Sequence, residues 1–353
     1  MTPVPPQRDR VAAALPGLAF AVALAVVAKG VYLATDAAVS AVLCAIGIGI
    51  LWRNLAGLGA WAEPGLAFAG QTLLRIGIAL IGLRLTLLVL ADTSVVALPV
   101  VLSCVAVALA TALGLGRLLG VSAGMRQLLA AGTAICGATA IIAVAPLLRA
   151  KKADIGIALT CVVLFGSIAM MSYPWIAGAL FGSAALPAGV FLGASIHDTS
   201  QVVGAALIHA EQFAAPDTVA IAGLTKFLRT LGLLILIPAA ALLAARSEAS
   251  ATGEKPRGWY RKAVPVFVLS FIALVLVRTI GDSVAGDAAA WQALLDYARQ
   301  ASEWLLLIGM AAVGLGVTFA HLREAGWRPI LLAFLAATLT GATALLWCRV
   351  VLS

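Results

Sequence analysis

Long apolar runs, broken at only a few points, constrain this chain more than any other feature. They cover roughly 11–33, 39–52, 66–90, 96–119, 126–148, 154–180, 187–210, 217–245, 263–280, 302–321 and 327–350. Hydrophobic residues make up 63% of the 353 residues, charged residues 11%, and mean hydropathy is +1.09. A soluble domain carries about 25% charged residues. So few charges cannot cover a water-facing surface of this size, so lipid must be the solvent. The expected fold class is all-α: a polytopic membrane protein of about nine spans plus two re-entrant or broken helices. Residues 1–353 then form a single transmembrane transporter domain.

The net charge of +8 does not point to nucleic acid. The basic residues sit in short loops between apolar runs, where the positive-inside rule puts them. The five cysteines (Cys44, Cys104, Cys136, Cys161 and Cys348) are scattered singly, which argues against a disulfide framework or a zinc site. The apolar run after Arg8 and Arg10 is longer than a signal-peptide core and lacks an A-x-A exit, so it reads as the first span. Residues 246–262 form the one clear hydrophilic linker, and its basic bias marks it as cytoplasmic. Residues 283–300, with Trp291, Asp296, Tyr297 and Arg299, read as an interfacial amphipathic helix.

Charge placement tests the topology. With Arg8 and Arg10 inside, alternating spans put Arg53 inside, Asp92 outside, and Arg117 and Arg126 inside. A full crossing at 126–148 would leave Arg149, Lys151 and Lys152 outside, against the rule. If 126–148 re-enters from inside and 187–210 from outside, every basic cluster falls inside. An arm of about ten helical residues rises roughly 15 Å, half the hydrocarbon core, so the two tips would meet near the midplane. The rival arrangement makes both segments crossing but broken helices.

Two internal matches support a repeat. A shift of 232 positions superposes Gly77–Leu90 on Gly309–Leu322 with six identities in 14 positions. A weaker match pairs Gly132-Thr-Ala-Ile-Cys with Gly193-Ala-Ser-Ile-His. In the topology above each matched pair has opposite orientation, the pattern of inverted-repeat secondary transporters. The segments are not in simple tandem order.

The chemistry concentrates in the two interrupted segments. In the first, Gly132, Thr133, Gly137 and Thr139 offer close backbone approach, freed N–H groups and hydroxyls suited to an anion. Close helix packing is the plainer reading of such small residues, and Cys136 reads as a small apolar filler. In the second, Ser195, His197, Asp198, Thr199, Ser200 and Gln201 are interrupted only by Ile196. Ionisable groups at such depth face a cavity or a partner. His197 and Asp198 are candidate proton-coupling groups, and Asp198 or Ser200 could cap the following arm. Lys226 and Arg229, three apart on one helix face, lie roughly 13 and 18 Å along their run. They read as the cationic wall of an anion site, with snorkelling or an ion pair to Asp198 as the alternative. Arg75, Thr86 and Thr318 are weaker candidates, and Arg84 belongs near the outer end. No metal site, cofactor or catalytic set is expected.

At Gly77–Thr86, Gly132–Pro146, Gly193–Val203, Lys226–Arg229 and Trp304–Pro329 the chain resembles the YeiH family of bacterial inner-membrane proteins, assigned to sulfate export. The resemblance spans most of 11–350. It implies a sulfate exporter in the bacterial inner membrane, built from inverted repeats with interrupted helices. Where members of that family carry Glu, this chain has Asp198.

The expected function is a secondary transporter exporting a small anion, a sulfate-like oxyanion or sulfonate, coupled to H⁺ or Na⁺. Its other expected partner is membrane lipid, and a homodimer is compatible with the sequence. The first alternative is a cation/proton antiporter using Asp198; the single Asp and the neighbouring cations weigh against it. An intramembrane enzyme is disfavoured: His197, Asp198 and Ser200 are too close in sequence to converge as a triad, and no H-E-x-x-H motif occurs. Saturable, counter-gradient transport would exclude a channel.

Overall fold

The computed structural model describes residues 7–36, 39–232, 266–318 and 326–352. The linker 246–262 lies outside the described residues. The helices, in chain order, are α1 (Gln7–Ala34), α2 (Ala41–Leu55), α3 (Ala60–Arg84), α4 (Leu87–Leu118), α5 (Ala123–Ala134) and α6 (Ala138–Val144). They continue as α7 (Lys152–Phe181), α8 (Ala185–Ser195), α9 (Thr199–Gln212), α10 (Thr218–Leu231), α11 (Val266–Ala285), α12 (Ala289–Gly316) and α13 (Trp327–Val351). Among the described residues α1, α3, α4, α7, α11 and α13 are long and apolar enough to cross a membrane. Their outer faces agree: Val95 and Leu102, two turns apart on α4, are 74% and 59% exposed. Such a surface is stable against acyl chains and costly in water.

The described chain forms two compact units. The first holds α1–α3, residues 210–214, α11 from Ser270, and α12. Its packing is backbone on backbone. A Cβ on Gly17 would lie 2.1 Å from the Ala62 oxygen, and one on Gly65 would lie 2.2 Å from the Ala14 oxygen. Without a hydrophobic drive between helices in lipid, such close approach supplies the dispersion contact that holds them.

Within this unit α3 and α12 pack reciprocally. A Cβ on Gly77 would meet Leu306 at 2.9 Å, and one on Gly309 would meet Leu74 at 2.7 Å. Leu74 and Gly77 correspond to Leu306 and Gly309 under the 232-residue shift. A contact in which i meets j′ and j meets i′ is what a two-fold axis produces. The relation extends outward: Gly82 closes onto the Phe271 oxygen of α11, and its counterpart Gly314 onto the Ile46 oxygen of α2. Both helices also stop at the same repeat position. Arg84 and Gly316 end them, and Leu85-Thr86 and Val317-Thr318 follow in non-helical conformation.

Two sequence expectations are corrected here. The break between 66–90 and 96–119 is only Leu85-Thr86, and Asp92 lies inside α4 rather than in an outer loop. Arg278 Nη1 donates to the Leu83 oxygen at 2.9 Å, satisfying a carbonyl left free by the early stop of α3. Residues 283–300 are not a separate interfacial helix: 283–285 complete α11, and from Ala289 onward they are the first turns of the 28-residue α12. Trp291 Nε1 donates to Asp282 at 2.9 Å, folding α12 back onto α11 through its aromatic residue.

The second unit holds α4–α10, residues 266–269 and α13. Its two interrupted segments each fold back on themselves. A Cβ on Gly132 in α5 would lie 2.8 Å from Ile141 Cδ1 in α6. A straight helix would separate residues nine apart by roughly 13 Å. In the second segment His209, near the end of α9, hydrogen-bonds Thr218 Oγ1 at 3.2 Å and lies against the backbone of Gly182, just ahead of α8. α9 therefore returns to where α8 began. Both segments are hairpins, α5–α6 and α8–α9.

Candidate functional site

The tips of the two hairpins meet. The first turns through Ile135, Cys136 and Gly137, with Gly137 at φ +65°, a conformation that L side chains rarely adopt. A Cβ there would lie 3.1 Å from Asp198 Oδ2, so Gly137 also provides the space for the second tip. The second tip passes through Ile196, His197 and Asp198. The 61-residue shift that matches Gly132 with Gly193 also matches Gly137 with Asp198. The two touching residues are repeat mates.

Lys226 and Arg229 of α10 are fully buried at this junction. Lys226 Nζ donates to the Ile135 oxygen at 2.9 Å, to the Ile196 oxygen at 2.9 Å and to the His197 oxygen. Arg229 Nε donates to the Ala134 oxygen at 2.8 Å, Nη2 to Thr133, and Nη1 to Ala194 and, at 3.4 Å, to Ile196. Ile135/Ile196 and Thr133/Ala194 are pairs under the same 61-residue shift. Each cation thus grips both halves of a repeat at equivalent atoms.

This corrects the sequence reading. Lys226 and Arg229 do not form an open cationic wall. They cap the C-terminal ends of α5 and α8, where unsatisfied carbonyls concentrate negative partial charge. Among the described residues neither makes an ion pair with Asp198.

The other predicted residues divide between packing and polar roles. Gly132 makes room for Ile141 and Val162, and Gly193 for Ala222 and Thr225. The Thr133 hydroxyl turns back to the Leu129 oxygen, and Ser195 Oγ to the Phe191 oxygen at 2.6 Å. Neither hydroxyl is turned toward a solute. Asp198 Oδ1 accepts from Ser200 N at 2.9 Å and Ser200 Oγ at 2.6 Å, capping α9 as expected. Thr199 and Ser200 are half-buried beside it, and Thr139 is exposed on α6. Gln201 is buried and donates to the Val163 oxygen at 3.0 Å and Ser167 Oγ at 3.2 Å. Among the described residues His197 Nδ1 and Gln201 Oε1 are buried without a hydrogen-bond partner. The weaker candidates fall elsewhere: Arg75 is exposed on α3, and Arg84 pairs with Glu303 at 3.3 Å.

Gly166 and Ser167 were not singled out from sequence. A Cβ on Gly166 would lie 1.9 Å from Gln201 Oε1, so this glycine admits the glutamine while Ser167 holds it. The one available signal is a Gly-Ser pair in the middle of α7, flanked by Val162–Phe165 and Ile168–Met171.

The family model described as conserved hypothetical protein 698 matches residues 16–333. The chain belongs to that family. Among its relatives, a UPF0324 membrane protein TauZ of Paracoccus pantotrophus is 35% identical over 97% of this chain and 98% of the relative. A protein of the same name from Paracoccus denitrificans is 33% identical over 93% and 92%. A UPF0324 membrane protein of Nitratidesulfovibrio vulgaris is 30% identical over 94% and 91%. No solved structure matches the chain. Membership of the conserved hypothetical protein 698 family agrees with the helices: this is a multi-pass membrane protein.

Proposed function

We propose that the chain is a secondary active transporter exporting a small anion, a sulfate-like oxyanion or sulfonate, across the bacterial inner membrane. The carrying observation is the charge at the hairpin junction. Lys226 and Arg229 contribute two positive charges, and Asp198 contributes one negative. Buried charge in excess of its partners costs several kcal/mol, and an anion arriving at the junction offsets part of that cost. The cations act through the dipoles they hold rather than by direct contact, because their N–H groups are already engaged. The groups left for direct contact are Thr199 and the His197 ring; Ser200 is already engaged with Asp198, and Gln201 with Val163 and Ser167. A solute that hydrogen-bonds His197 Nδ1 would relieve a buried polar atom. A sulfate or sulfonate oxygen accepts that bond from the tautomer of His197 that carries its proton on Nδ1.

His197 and Asp198 are the proton-coupling groups in this reading, with H⁺ preferred to Na⁺ as the coupling ion. No bond of the transported solute is broken, so no residue is assigned a catalytic role.

The test is flux of radiolabelled sulfate and of a small sulfonate into proteoliposomes, with and without a pH gradient. Saturable, gradient-driven flux that is lost in His197→Ala is the expected result. Flux of neither anion, together with sodium-dependent proton movement, would replace this reading with an antiporter built on Asp198.

A further inference from the structure

Three main-chain oxygens converge on one point between the hairpin tips: those of Ile135, Ile196 and His197. They belong to the ends of two helices whose dipoles both direct negative charge there. In broken-helix transporters, unwound carbonyls and half-helix C-termini of this kind coordinate the coupling cation. Here the ammonium of Lys226 stands in that position, held without a carboxylate partner among the described residues. Its two 2.9 Å bonds run to repeat-equivalent oxygens, so it is equidistant from the two hairpin ends.

We propose that Lys226 is the resident occupant of a latent monovalent-cation site, and that the hairpin junction therefore needs no bound sodium. Ammonium and the small alkali ions share the requirement the cage meets: one positive charge facing converging neutral oxygens, at a radius a side-chain amine can also fill. Removing the side chain beyond Cβ leaves the three oxygens in place, because Arg229 independently ties Thr133, Ala134 and Ala194 together. The vacated cage then takes a small cation from solution. This inference goes beyond the transported solute and does not rest on its identity.

The test is thermal unfolding of the purified full chain, wild type and Lys226→Ala, in ammonium, sodium, potassium or choline chloride at equal ionic strength. The wild type is expected to melt at the same temperature in sodium and in choline. The alanine variant is expected to melt lower in choline. Ammonium or sodium should restore it by about 5 °C in a saturable way, as mass action on a native-only site requires. Lys226→Ser repeats the titration if the alanine variant does not accumulate. A wild type that loses stability in choline overturns the proposal, as does failure of every small cation to rescue either variant. Because chloride is the same in every arm and no sulfate or sulfonate is added, these outcomes are separate from success or failure of the flux assay.

Discussion

The main-chain oxygens of Ile135 and Ile196 receive the same ammonium group, each 2.9 Å from Lys226 Nζ. The two isoleucines are 61 residues apart and occupy equivalent positions in the two hairpins. Each also closes its own helix in the same way, with Ile135 N bonded to Ala131 and Ile196 N to Leu192. The junction is thus one arrangement used twice, with a single side chain serving both copies.

Arg229 should not tolerate lysine. Its guanidinium reaches Thr133, Ala134 and Ala194 from three different nitrogens, and an ammonium on a flexible stem cannot hold all three directions. Arg229→Lys is expected to lose about 2–3 kcal/mol and Arg229→Ala about 3–5 kcal/mol, with the buried carbonyls left unsatisfied. Chemical denaturation in detergent or bicelles measures both.

Gly137→Ala combines two penalties. Its φ of +65° disfavours any Cβ, and that Cβ would sit 3.1 Å from Asp198 Oδ2. A destabilisation of about 1–3 kcal/mol is expected, with anion flux reduced further because the tip that carries Asp198 is displaced. Substituting Gly156, where a Cβ meets nothing within 4 Å, should leave both properties unchanged.

The reciprocal contact of the first unit makes a quantitative prediction. Gly77→Ala forces Leu306 to move and is expected to cost about 1–3 kcal/mol. Leu306→Ala removes the obstruction, so the double variant should be more stable than the two single effects add up to, by at least about 0.5 kcal/mol. Gly309→Ala with Leu74→Ala should show a smaller coupling, because the Leu74 Cβ that remains would still lie 2.9 Å from the new methyl group. A double-mutant cycle that closes additively for both pairs would count against the packing described.

Asp198→Asn separates capping from charge. Asparagine caps a helix about as well as aspartate, so the fold should be kept. The variant cannot take up or release a proton at this position. Flux in Asp198→Asn is therefore expected to lose its dependence on an imposed pH gradient, read as equal rates with and without the gradient in proteoliposomes.

Much of this was legible before any coordinates. Composition points to lipid as the solvent, and charge placement favours hairpins while leaving crossing broken helices open; the closeness of Gly132 and Ile141 gives the hairpin form. Both repeat offsets proved to mark real equivalences, although they rested on a few glycines and isoleucines in an alanine- and leucine-rich chain. The break at Leu85-Thr86 was not legible, because Leu-Arg-Leu-Thr-Leu contains no glycine or proline to announce it. The carbonyl of Leu83 that the break leaves free accepts from Arg278, nearly two hundred residues away in sequence. The partners of Lys226 and Arg229 were hidden for a related reason. Side-chain identity suggests a charged partner, but the acceptors are main-chain oxygens, and their convergence exists only once both hairpins have turned.

Lys226 and Arg229 lie on one turn of α10, and each holds both hairpins. Sliding one hairpin along the other would break both grips in the same instant. The junction therefore behaves as a bolted joint rather than a hinge. Any rearrangement that exposes it to opposite sides of the bilayer must carry the two tips together as one piece.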